Sequence, residues 1–137
     1  METMVMLKPF LIEETAKTPL INFNPNGRFN IKGVSTPLDA AGFYFEVLDW
    51  LTDYYREPAE NTSLLVEFEH INSSSSSMLF RMFHLLNRLQ ESNKSTVRCI
   101  WAYDVEDDFM KEFIDSIQDM ATSLKIITEP KSFEFED

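Results

Sequence analysis

An apolar run, Leu64 to Ile71, leads almost directly into five consecutive serines, Ser73 to Ser77, and these lead into an amphipathic run from Met78 to Leu89. No other feature constrains the chain as much. The apolar run predicts a strand, the apolar spacing of three and four residues predicts a helix, and the serines between them predict a turn. A strand that feeds a helix through a short turn is half of a βαβ unit, so it calls for a sheet with helical crossovers.

The serine stretch also carries chemistry. Hydroxyls at a helix N-terminus sit among free backbone N–H groups and the positive end of the helix dipole, where a phosphate would be held. One of these serines, Ser73 first, is therefore a candidate phosphorylation site, and Asn72, Ser75 and Ser76 are candidate partner contacts beside it. Serine runs also serve as N-caps and flexible linkers. Both readings stand on the residues alone.

The rest of the chain fits around this unit. Leu7 to Glu13 alternates and holds Pro9, which predicts an edge strand. Leu20–Phe23 and Arg28–Gly33 flank Asn24-Pro25-Asn26-Gly27, a hairpin with an Asn-Gly turn. Thr36 is the expected N-cap of a first helix over about Leu38 to Tyr55, with Pro37 at its first position and Asp39 in its first turn. Its buried stripe reads Phe43, Val47, Trp50, Leu51 and Tyr54.

Thr62 to Ile71 reads as a central strand, apolar on both faces at its start. The helix after the serines buries Leu79, Met82, Phe83, Leu86 and Leu89. Val97 to Tyr103 is a further strand. Asp104-Val105-Glu106-Asp107-Asp108 turns into a third helix burying Phe109, Phe113, Ile117 and Met120 or Ala121. Leu124–Thr128 is a last strand.

The order β-β-β-α-β-α-β-α-β predicts an α/β fold: an antiparallel hairpin joined to a parallel core, with about three helices in one domain over residues 1–130. Residues 131–137 form an acidic tail. The serine run and the acidic turn both fall at carboxyl ends of strands, where α/β sheets gather ligands and partners, so Asp104, Asp107 and Asp108 are candidate partner contacts too.

Composition excludes several classes. The net charge is −11, from 12 basic and 23 acidic side chains, and it opposes binding to nucleic acid or to an acidic membrane. No apolar stretch is long enough to span a bilayer, and Met1-Glu2-Thr3-Met4 lacks a signal-peptide start. The lone Cys99 sits in an apolar run and fits a reducing cytoplasm, as a packing residue. None of the three glycines lies in a strand-to-helix turn, so there is no phosphate loop and no expected cofactor.

Two minor readings remain. His70 near the serines suggests a hydrolase pair, but it lacks an orienting carboxylate, because Glu69 would point to the opposite face. Asp104, Asp107 and Asp108 carry oxygen ligands for a divalent ion, but helix capping accounts for them equally.

The ordered landmarks resemble the SiaC family of regulatory phosphoproteins, which have an anti-sigma-factor-antagonist-like (STAS-like) fold. They are Thr18-Pro19, Gly33-Val34-Ser35-Thr36-Pro37, Phe43 to Trp50-Leu51 with Tyr54, Phe68 with Asn72-Ser73-Ser74-Ser75, Trp101-Ala102-Tyr103-Asp104 and Asp107-Asp108-Phe109-Met110. The resemblance implies a switch protein and not an enzyme. It implies phosphorylation of Ser73, or of Ser74 because the serine run leaves the register loose by one, by a dedicated Ser/Thr kinase of the anti-sigma, histidine-kinase-like ATPase type, and removal of the phosphate by a PP2C-type phosphatase. The unphosphorylated form would bind an effector such as a diguanylate cyclase, in biofilm and cyclic-dinucleotide signalling. The alternatives are an anti-sigma factor antagonist in a transcriptional partner switch, and a small-ligand-binding or hydrolytic α/β domain. The chain departs from the family at Leu38, where an acidic residue is usual, at Ser77, which stands for a lysine, and near Phe113, where a glycine is common.

Overall fold

Alternating burial along the strands and one buried stripe on each helix produce a two-layer structure. The computed structural model describes residues 6–133. Its elements are β1 (Phe10–Ile12), β2 (Leu20–Phe23), β3 (Arg28–Ser35), α1 (Ala40–Arg56), β4 (Asn61–Ile71), α2 (Ser73–Glu91), β5 (Thr96–Asp104), α3 (Asp108–Met120) and β6 (Lys125–Lys131). They form one six-stranded sheet in the order β1-β2-β3-β4-β5-β6. The β1–β2 and β2–β3 pairs are antiparallel, and the remaining three pairs are parallel. This is the element order expected from the sequence.

The strand order never reverses. Three right-handed crossovers that all step the same way put α1, α2 and α3 on one face. The other face stays open, so β4 buries only alternate residues. Leu65, expected inside, is 49% exposed for this reason.

The hairpin turns as its residues require. Gly27 has φ 99°, and a side chain there would run into the Asn61 carbonyl. The neighbouring asparagines tie the turn: the Asn24 Oδ1 accepts from the Asn26 N–H at 2.9 Å.

Two helices start later, or in a different phase, than the pattern implied. Thr36 is not yet helical, and its N–H donates to the Lys17 carbonyl at 2.7 Å. The cap of α1 is instead Asp39, whose Oδ1 accepts from the Gly42 N–H at 3.0 Å. Pro37 therefore precedes the helix. The buried stripe of α1 runs Ala40, Tyr44, Val47, Trp50, Leu51 and Tyr54, with Phe43 only half-buried. In α3 the cap is Asp107, and the buried residues are Met110, Phe113, Ile114 and Ile117. Phe109, expected inside, is 58% exposed.

The core has two aromatic centres. Trp50 stacks on Tyr54 with centroids 5.4 Å apart and meets Phe29 edge-on at 5.5 Å. Trp101 stacks on Phe83 at 5.3 Å and meets Phe113 edge-on at 5.9 Å. Cys99 is buried beside them, and loss of hydration pushes its thiol up to about 12. It packs and does not react.

Buried side-chain polar groups join the layers. The Thr62 hydroxyl bonds to the Tyr54 phenol at 2.8 Å and to the Ser95 hydroxyl at 2.7 Å, and the Ala59 N–H donates to the same phenol at 3.2 Å. This cluster ties α1, β4 and the start of β5 at the amino end of the parallel strands. On α2, the Asn87 Oδ1 accepts from the Ser123 and Leu124 N–H groups at 2.8 and 3.1 Å, clamping the turn into β6.

β6 reaches Lys131, which pairs with Asp104, so the strand runs past the expected end at Thr128. Residues 134–137 of the expected acidic tail lie outside the described residues, as does the N-terminal stretch 1–5. Among the described residues no helix is long and apolar enough to cross a membrane.

Candidate functional site

β3, β4 and β5 are neighbours and end side by side, at Ser35, Ile71 and Asp104. Adjacent strands lie about 4.8 Å apart, so the segments leaving them form one continuous edge. Asn72 is its centre. Its backbone is extended, at φ −92° and ψ 170°, and its N–H donates to the Ser35 carbonyl at 3.0 Å. Its Oδ1 caps α2 by accepting from the Ser75 N–H at 2.8 Å, while its Nδ2 donates to the Pro37 carbonyl at 3.2 Å. One side chain thus stops β4, starts α2 and pins the exit of β3.

The serine run is not a turn. Ser73 is already the first residue of α2, and all five serines are helical. Serine has only modest helix propensity, but the Asn72 cap satisfies a free N–H and lets the helix begin at once. The helix then sorts the serines by direction. Ser73, Ser74 and Ser77 are exposed. Ser76 is half-buried, its hydroxyl donating to the Asn72 carbonyl at 3.2 Å.

Ser75, expected to contact a partner, is instead fully buried. Its Oγ accepts from the Ser35 Oγ at 2.9 Å, and the Ser35 hydroxyl also bonds to the Tyr44 phenol at 2.6 Å. Burial pushes the Tyr44 phenol up to about 12, outweighing the bond to Ser35, which acts in the opposite sense. The cluster locks the ends of β3 and α2 to α1. Because an α-helix turns about 100° per residue, fixing Ser75 inward turns Ser73 outward.

The acidic segment on the same edge is used locally. The Asp104 Oδ1 accepts from the Glu106 N–H at 3.0 Å, and the Asp107 Oδ1 caps α3 through the Met110 N–H at 3.0 Å. Asp108 opens α3 and is exposed. Among the described residues no three His, Cys, Asp or Glu side chains converge on a cation site.

His70 does not approach the serines as a base would. Opposite Gly33 and Val34, β4 carries an extra residue, since Gly33 pairs with Phe68 and Val34 with His70. This bulge turns both Glu69 and His70 to solvent, where strict alternation would have put them on opposite faces.

Three apolar side chains on this edge escaped the sequence reading as site residues. Leu38, in the segment between β3 and α1, is 98% exposed, and Val105 and Phe109, beyond β5, are 57% and 58% exposed. They flank the β4–α2 junction on either side. Apolar residues in short connecting segments were the available signal, and Leu38 was visible as a departure from an acidic position. Soluble surfaces do carry scattered apolar residues, but these three leave the sheet on the same edge as the exposed Ser73.

Residues 12–131 match the family model for SiaC family regulatory phosphoproteins. Among solved structures, apo-SiaC from Pseudomonas aeruginosa is similar at a TM-score of 0.80 and 20% identity, over 88% of this chain and 98% of that one. SiaC from the crystal structure of the diguanylate cyclase SiaD in complex with its activator SiaC, also from Pseudomonas aeruginosa, is similar at a TM-score of 0.80 and 20% identity, over 89% of this chain and 99% of that one. At that identity the likeness establishes the fold. No curated protein matches the chain.

Proposed function

This chain belongs to the SiaC family of regulatory phosphoproteins, and on that premise we propose that it is a cytoplasmic binding switch whose state is set by a phosphate on Ser73. Ser74 is the alternative acceptor. A Ser/Thr kinase of the histidine-kinase-like ATPase type adds the phosphate and a PP2C-type phosphatase removes it. The unphosphorylated form binds an effector protein, and a diguanylate cyclase is the effector class suggested by the complex in which the similar SiaC was crystallised.

The observation that carries this reading is the position of Ser73: exposed, at the first residue of α2, between Leu38 on one side and Val105 and Phe109 on the other. Asn72, Ser76, Asp104, Asp107 and Asp108 lie around the same edge, as the rim of the binding surface.

The physics of the switch is simple. A phosphate adds roughly −1.5 to −2 charges and three acceptor oxygens. At the start of α2 it would face free N–H groups and the positive helix end, so the fold tolerates it. A partner that covers Leu38, Val105 and Phe109 removes water from the space around Ser73. Burying an unpaired double charge there costs several kcal/mol or more, and about 1.4 kcal/mol is a tenfold change in affinity.

Incubation with ATP and the cognate kinase should add one phosphate by intact mass, mapped to Ser73. Calorimetric titration against the diguanylate cyclase should show Ser73→Ala binding like the unmodified chain and Ser73→Asp at least about 100-fold weaker. Equal affinity for both variants refutes the switch at this residue.

A further inference from the structure

The open face of the sheet is the second unexplained surface. All-parallel sheets are nearly always covered on both faces, while sheets with antiparallel pairs commonly leave one face to water with polar residues on it. Here β3 to β6 are parallel in a mixed sheet, and the side away from the helices carries exposed aliphatic side chains as well as polar ones. The strand register sorts that face into rows. One row is apolar: Leu65 pairs with Ile100 and Ile100 with Ile127, at 49%, 36% and 46% exposure. The row toward the carboxyl ends is neutralised internally, with Glu67 within 3.6 Å of both Lys32 and Lys131. The row toward the amino ends is basic. Arg28 pairs with Ser63, Ser63 with Arg98 and Arg98 with Lys125. All three cations are exposed, and none makes an ion pair among the described residues.

Three unpaired cations beside three exposed aliphatic side chains run against the character of a chain with a net charge of −11. We infer that the open sheet face, through the Leu65–Ile100–Ile127 row and the Arg28–Arg98–Lys125 row, docks an amphipathic helix with an acidic flank from a partner protein. The spacing fits. Successive residues on one helix stripe lie about 5–6 Å apart, and successive strands about 4.8 Å apart. A helix laid across the strands sets apolar residues at i, i+4 and i+7 over the aliphatic row, with a parallel line of carboxylates over the cations. The β2–β3 turn borders a shallow concavity of about 720 Å³ at the β3 side of these rows, where such a helix would end. Nucleic acid is disfavoured because the basic row is a single line next to apolar side chains, within an acidic molecule. This surface goes beyond the Ser73 switch and does not depend on it. Ser63, in the basic row, and Ile71, beside the switch, are eight residues apart on β4, about 26 Å along a strand.

The test is an amide-shift titration of the isotopically labelled full chain with a synthetic helical peptide carrying leucine at i, i+4 and i+7 and glutamate along one flank. Saturable shifts centred on Leu65, Ile100 and Ile127 are expected. Affinity should fall at least tenfold when lysine replaces the glutamates, and by the same factor in the Arg98→Glu/Lys125→Glu chain. Ile100→Asp should abolish binding with the spectrum otherwise intact, and Ser73→Asp should leave it unchanged. The inference is overturned by an absence of shifts at millimolar peptide, by equal affinity for the glutamate and lysine peptides, or by shifts confined to the helices. It is equally overturned if the same amides shift with chain concentration alone, which assigns the face to a second copy, or if a single-stranded oligonucleotide binds there more tightly than the peptide.

Discussion

The two ends of the parallel strands are held by the same device. At each end a tyrosine of α1 anchors a chain of buried hydroxyls: Tyr44 with Ser35 and Ser75 at the carboxyl end, Tyr54 with Thr62 and Ser95 at the amino end. The difference lies in what each chain holds. At the amino end the tyrosine also accepts a backbone N–H, from Ala59, and the cluster closes the loop between α1 and β4. At the carboxyl end every member is a side chain, and the last one, Ser75, is the third residue of α2. There the cluster fixes the rotation of a helix whose first residue, Ser73, faces solvent. The same chemistry thus closes a loop at one end and aims an exposed hydroxyl at the other.

The largest expected effect tests the carboxyl cluster through pH. The raised Tyr44 phenol means that the unfolded chain loses this proton near pH 10, while the folded chain keeps it to about 12. Above pH 10 the unfolded state binds fewer protons. Stability is therefore fully present below that pH and falls by about 1.4 kcal/mol per unit up to about pH 12. Urea midpoints of wild type and Tyr44→Phe should converge over this window. Cys99 adds its own decline from about pH 9, common to both chains. Parallel curves would mean that Tyr44 is not held as described.

Ser35→Ala comes next. It removes the central hydroxyl and leaves Tyr44 and Ser75 buried without it, at a cost of about 2–3 kcal/mol in denaturant unfolding. Thr62→Val, the matching change at the amino end, should cost less, about 1–2 kcal/mol, because Tyr54 keeps the Ala59 N–H. If Thr62→Val proves the more damaging, the ranking of the two ends is reversed and the comparison fails. Ser73→Ala should be the mildest, within about 0.5 kcal/mol, as befits an exposed position. A cost above about 1 kcal/mol would show that Ser73 serves the fold as Ser75 does.

These clusters also mark where sequence reading stops. Element order and type followed from apolar spacing, and the buried apolar residues of α2 from Leu79 to Leu89 were all legible, whereas the buried Asn87 among them was not. The phase of α3 was not. Both Phe109 and Met110 fit an apolar stripe, and only the Asp107 cap sets which one turns inward. Thr36-Pro37 carried good cap signals, but the Thr36 N–H bonds to the Lys17 carbonyl and the helix begins only at Ala40, after the Asp39 cap. The exposure of Leu65 depends on the direction in which successive crossovers step, a property of the sheet as a whole. At the candidate site, the strand end beside Asn72 was legible from the apolar run that precedes it, but the helix was expected only after the serines and begins at Ser73. The sorting of five identical serines into exposed, back-bonded and buried was hidden, because it depends on Ser35 and Tyr44, which are far away in sequence.

The uninterrupted strand order bears on assembly as well. Each strand pairs with the one before it in the chain, so no strand must wait for a distant later segment to create its slot. Contacts are correspondingly local for an α/β sheet, a property that goes with faster folding. During synthesis from the N-terminus, the sheet can grow by addition at a single advancing edge, with β6 the last to arrive.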